Sequence, residues 1–187
     1  MGRGQHNVNN KVTRDDSWQL RFFSIWGGQA FSLLGSGLVQ FALVWWLTQA
    51  TGSATVLAMA TLMATLPGVF LAPFAGALVD RWDRRAVMMA ADGLIALATL
   101  GLAVLFAVEA EQVWIVYGVM FLRAAGGSFH WAAMQASTTL LVPEEQFSRV
   151  AGLNQTLQGV VNIVGPPAGA LLLQVLPLQG ILAIDVG

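Results

Sequence analysis

The chain has 187 residues, 56% of them hydrophobic and only 10% charged, with a formal net charge of −1. A soluble domain carries about 25% charged residues, so these proportions exclude an ordinary water-soluble fold and point to an all-α, polytopic membrane protein. The absence of cysteine excludes disulfides, thiolate metal sites and cysteine nucleophiles.

Residues 1–18 are polar and lack the short apolar core of a secretory leader. They read as a flexible cytoplasmic tail carrying Arg3, Lys11 and Arg14. Met1-Gly2-Arg3 opens like a myristoylation site, but His6 stands where Ser or Thr is required. The rest, 19–187, reads as one transmembrane bundle. Apolar runs cover 22–47, 55–79, 86–108, 113–138 and 150–176, and each exceeds the roughly 20 residues a helix needs to cross a bilayer. Pro177 breaks the last run, and a sixth span starts near Gly180. An ending so soon after that start predicts a piece of a longer protein.

Between the second and third runs, Asp80, Arg81, Asp83, Arg84 and Arg85 gather in the stretch that Gly76 introduces. Such charges must lie at a membrane surface, and their arginines mark that surface as cytoplasmic. Counted through alternating connections, Arg3, Lys11, Arg14, Arg21, Arg81, Arg84, Arg85 and Arg149 share one side. This predicts a cytoplasmic N-terminus in the cell (inner) membrane.

Polar groups inside the spans are the candidate functional residues. Arg123 lies about ten residues into the fourth span, some ~15 Å deep, where an arginine costs on the order of 3 kcal/mol or more. Gly127, His130 and Met134 continue roughly its face. Arg123 reads either as a cation in a substrate or proton path or as a structural arginine capping carbonyls of a neighbouring helix. Gln29, Ser32, Ser36 and Gln40 repeat at helical spacing on the first span. Asn154, Gln158 and Asn162, with Gly165 and Gly169, repeat on the fifth. Polar stripes of this kind line a cavity or join helices.

Pro166 and Pro167 predict a kink. Asp92 is a candidate proton carrier, since apolar surroundings disfavour charge, or else the partner of an arginine near the inner surface. Asp185 is read as opening the sixth span near the outer surface. His130 by itself is no metal site. Trp45, Trp46 and Trp114 suit one interfacial belt, Trp18 and Trp82 the other. There is no HExxH, GxSxG or paired carboxylate within a span, so an enzyme is disfavoured.

Gly76-x-Leu78-x-Asp80-Arg81-x-x-Arg84-Arg85 resembles the loop signature between helices two and three of the major facilitator superfamily. Arg123-x-x-x-Gly127 is similar to its second signature, and Gly165-Pro166-x-x-Gly169 to the antiporter signature of its drug exporters. Trp26-Gly-Gly-Gln29, Leu34-Gly-Ser-Gly37, the stretch from Phe129 to Gln135, and Gly152-Leu-Asn154-Gln155 resemble the macrolide-efflux branch.

The resemblance implies the N-terminal six-helix half of a twelve-helix transporter, truncated at helix six. Asp80 would help hold two bundles together, Arg84 and Arg85 would form gate ion pairs, and Arg123 would serve proton coupling. Asp83 departs from the usual Gly, and a second carboxylate there is expected to compete for the arginines. The implied function is proton-coupled efflux of hydrophobic or amphipathic small molecules such as macrolide-like drugs. Its partners are that substrate, protons, the lipid bilayer and the missing C-terminal half, without cofactor, metal or nucleic acid. A siderophore exporter, a lipid transporter and a non-transporting membrane scaffold are the alternatives.

Overall fold

A computed structural model describes residues 5–185. They form six α-helices: α1 (Gln5–Thr51), α2 (Ala54–Val79), α3 (Arg84–Ala107), α4 (Val113–Leu141), α5 (Phe147–Val175) and α6 (Leu178–Ile184). A single 3₁₀ turn, Glu144–Gln146, precedes α5. Four segments are long and apolar enough to cross a membrane: Phe22–Thr51, Ala54–Val79, Arg84–Ala107 and Glu144–Val175. The 29-residue α4 is not among them; it carries Arg123 and His130 in its interior.

Turn chemistry sets the helix ends. Gly52 adopts φ +58°, the left-handed conformation that ends a helix at least cost to glycine, and its N–H donates to the Thr48 carbonyl. Ser53 then caps α2 by accepting from the Val56 N–H. At the charged turn, Asp83 Oδ1 accepts from the Ala86 N–H at 2.8 Å and so caps α3. The expected competition of Asp83 for the arginines is therefore not what this carboxylate does. It satisfies an orphan donor of the helix that follows.

The stretch expected to be a flexible tail continues α1 instead, from Gln5 onward. No proline and no glycine interrupt residues 5–26, and extending an existing helix is far easier than nucleating one. Arg3 lies outside the described residues, as do the side chains of Lys11, Arg14, Trp18 and Arg21.

The helices pair as α1 with α5, α2 with α4 and α3 with α6, and α4 also packs on α3. Exchanging the first three helices for the last three maps these pairings onto themselves, as expected of two inverted three-helix repeats. The main apolar core lies at the end away from the charged turn. There Leu43, Leu47, Leu102, Met120, Ile181 and Leu182 are essentially inaccessible. Trp46 belongs to this core, edge-on to Phe106 at 5.0 Å between ring centroids, rather than to an interfacial belt. Trp45, Trp82 and Trp114 are exposed. The end near the charged turn holds two smaller clusters, one around Phe22, Val142 and Val150, the other around Val79, Val87 and Ala133. Large apolar side chains such as Leu97, Val104 and Ile163 point outward, which suits helices surrounded by lipid rather than water.

Helix α5 is unbroken through Pro166 and Pro167. Both prolines are exposed, while Gly165 and Gly169 turn inward onto α1. A Cβ on Gly165 would meet the Gly37 backbone at an ordinary 3.8 Å, whereas one on Gly169 would come within 2.7 Å of the Phe41 ring. Small residues thus bring α1 and α5 together, as is usual for helices in lipid. Gly169→Ala is expected to destabilise the solubilised full-length protein by about 1–3 kcal/mol through overpacking, Gly165→Ala by much less. Thermal unfolding in detergent measures both. Equal losses would show that the Phe41 contact is not the constraint.

Candidate functional site

Helices α1 to α5 enclose a cavity of about 500 Å³. The α1 face read from sequence lines it in full: Gln29, Ser32, Ser36 and Gln40 all border it. Their spacing holds them within one narrow stripe. Arg123, Gly127 and His130 come from α4, Asp92 from α3, Gln158 from α5, and Thr61 and Thr65 from α2. Val44, Ala64, Ile95 and Trp131 supply apolar wall.

The α5 stripe divides. Only Gln158 reaches the cavity. Asn154 is buried and its Oδ1 accepts from the Trp26 indole N–H at 3.0 Å, fastening α5 to α1. Asn162 is exposed. The reason is geometric: each step of four residues advances about 40° around a helix, so by Asn162 the stripe has wound off the buried face that Asn154, Val161 and Gly165 define.

Arg123 is buried, and its Nη1 donates to Asp185 Oδ2 and to Thr99 Oγ1. Ser36 Oγ donates to the other oxygen of Asp185 at 3.1 Å. Four helical elements thus meet at one ion pair: α4 through Arg123, α3 through Thr99, α1 through Ser36, and the end of α6 through Asp185. The guanidinium does not cap backbone carbonyls, as one reading held, and Asp185 does not open a helix. Asp185 follows Ile184, the last residue of α6, and its side chain is 4% exposed. A carboxylate withdrawn so far from water requires a counter-charge, and Arg123 supplies it.

A second pair sits beside the first. His130 Nδ1 lies 2.7 Å from Asp92 Oδ1, though off the ring's N–H direction, so the contact is one of charge rather than a formed hydrogen bond. On its other side His130 Nε2 has both amide atoms of Gln29 within reach, Nε2 at 2.8 Å and Oε1 at 3.2 Å. Asp92 was expected to meet an arginine near the inner surface; it meets this imidazole instead. It points along α3 toward α4, while Arg84 and Arg85 lie two turns back.

The charged turn lies outside this cavity. Asp80 ends α2 and is exposed, as are Arg81 and Arg85, with Arg84 half-buried. Among the described residues no ion pair joins its carboxylates to its arginines. A Cβ on Gly76 or on Gly127 would meet only open space.

Residues 25–187 match the family model described as Major Facilitator Superfamily. The chain is 46% identical over 171 residues to macrolide efflux protein A of Streptococcus pyogenes, covering 91% of this chain and 42% of that protein. It is 45% identical over 135 residues to the protein of the same name from Enterococcus faecalis, covering 72% and 42%. It is also 34% identical over 151 residues to the multidrug efflux pump Tap of Mycolicibacterium fortuitum, covering 76% and 36%. The chain therefore spans less than half the length of these relatives. No solved structure matches it significantly. A chain matched across nearly all its length by that model, with its signatures on the expected helices, belongs to the Major Facilitator Superfamily and within it resembles the macrolide-efflux proteins.

Proposed function

We propose that this chain forms the N-terminal half of a transporter that exports hydrophobic or amphipathic small molecules by alternating access, driven by protons. The observation that carries the reading is the cavity: apolar walls, four α1 polar groups and two charged pairs converge from five helices on about 500 Å³. Mostly apolar pockets with a few placed polar groups bind drug-sized molecules. The names of the similar proteins, macrolide efflux protein A and multidrug efflux pump Tap, support the same class of activity.

In this reading the N-terminus and the charged turn face the cytoplasm, in keeping with the count of Lys and Arg across the connections. Asp80, Arg81, Arg84 and Arg85 then serve as a gate, meeting charges of the second half as the cavity closes to one side. The Gly165-Pro166 segment supports the hinge-like packing of α5 on α1. Arg123 and Asp92 are the candidate proton-coupling residues: each carries a charge on the cavity wall, and each pairs with a neighbour on another helix. Protonation of a paired carboxylate releases that neighbour and so loosens one helix from another. An anionic cargo, such as a siderophore, is disfavoured because Asp185 already neutralises Arg123.

Arg123→Ala is expected to abolish efflux and to destabilise the protein by about 3–5 kcal/mol, because it strands Asp185 without a counter-charge. The double substitution Arg123→Leu with Asp185→Leu should recover most of that stability while efflux stays absent. Normal efflux in the double variant would assign the pair a purely structural role. In cells expressing the full-length protein, a protonophore should stop expulsion of a fluorescent dye. Export that continues unchanged would remove the proton-coupling claim.

A further inference from the structure

We propose that Asp92 is the point at which the cavity holds a cationic amphipathic ligand, and that this ligand and a proton on His130 exclude one another. The inference rests on reading the cavity as the transport site, and names the ligand class and the residues that exchange it.

The argument is a count of charge. Arg123 and Asp185 are 7% and 4% exposed at the side chain and cancel each other. Asp92 differs: its side chain is 58% exposed, and it borders both the central cavity and a second one of about 610 Å³ between α1, α3 and the end of α6. Its nearest charged neighbour is the His130 imidazole. The other helices packed around His130 add no charge to the wall. Gln29 comes from α1, Thr61 and Thr65 from α2, and Gln158 from α5. With neutral imidazole the wall carries one unbalanced negative charge; with imidazolium it carries none. An unbalanced carboxylate facing apolar walls attracts a cation that also has apolar surface to bury.

Gln29 makes both states available. With its NH₂ toward His130 Nε2, that nitrogen accepts and the imidazole is neutral, its proton on Nδ1 toward Asp92. With its carbonyl toward Nε2, the same amide accepts from an imidazolium. Both amide atoms lie within reach of Nε2. The exchange balances: when the cation leaves Asp92, one proton binds His130 Nε2, and the wall is neutral in either loaded state. The sign follows directly. Rising pH empties His130 of its proton and strengthens cation binding.

The test is binding of tetraphenylphosphonium, a permanent cation without titratable groups, to the full-length protein in lipid nanodiscs. Measurements run from about pH 5 to 8, the range over which imidazole changes charge. Wild-type affinity should rise on the order of tenfold or more across that range, since only the fraction with neutral imidazole is competent to bind. Asp92→Asn should weaken binding at the upper end and flatten the profile, while Asp92→Glu restores both. His130→Gln should keep tight binding and lose the pH dependence. Flat wild-type affinity, or unchanged binding in Asp92→Asn, overturns the proposal. Proton-driven efflux with flat tetraphenylphosphonium binding would sink this subsite alone. The expected binding profile without any efflux would sink the transport reading and leave the subsite standing.

Discussion

Arg123 sits in the middle of α4, where no water solvates it, and the rest of the bundle is arranged to meet that cost. Asp185 neutralises the guanidinium, Thr99 takes a further hydrogen bond, and Ser36 holds the free oxygen of Asp185. Each partner comes from a different helical element. The pair therefore fixes α1, α3, α4 and the end of α6 relative to one another at the depth where lipid-exposed helices have the least other polar adhesion. Helices in lipid gain little from the hydrophobic effect on associating, so one buried ion pair weighs more in setting their arrangement than it would in a soluble core.

The two charged pairs divide the work. Arg123 and Asp185 are closed to solvent, and their mutual neutralisation keeps the floor of the cavity intact. Asp92 and His130 are more open, and their charge depends on a proton. Close glycine contacts hold α1 to α5 through Gly37, Gly165 and Gly169, and α3 to α4 through Gly126 against Ile95. The apolar core lies at the end remote from the charged turn. A bundle tightly packed at one end and polar in the middle is suited to opening at the other.

Much of this was legible in the sequence, for reasons that differ by residue. The turn at 80–83 announced itself because charge cannot enter hydrocarbon, and the α1 stripe because Gln29, Ser32, Ser36 and Gln40 keep to one narrow angle. Asn162 misled because an unbroken spacing of four drifts around the helix. Residues 5–18 looked like a tail by polarity alone, although nothing in them stops a helix. The partner of Arg123 was the largest miss, yet its signal was present. Helices α4 and α6 start from the same side, and Arg123 and Asp185 lie at similar depth, each roughly two to three turns in, with opposite charge. The contact of Asp92 with His130 needed the rotation of α3 against α4, which no single-helix pattern carries.

The central claim is that the polar faces of α1 and α4 look into a water-accessible interior while the outer face of α3 meets lipid. This chain contains no cysteine, so single cysteines introduced into the full-length protein, cleared of any others, report accessibility directly. A water-soluble maleimide should label Ser36→Cys and Gly127→Cys and leave Leu97→Cys and Val104→Cys unmodified. Labelling of the α3 positions with protection of Ser36→Cys and Gly127→Cys would contradict the account.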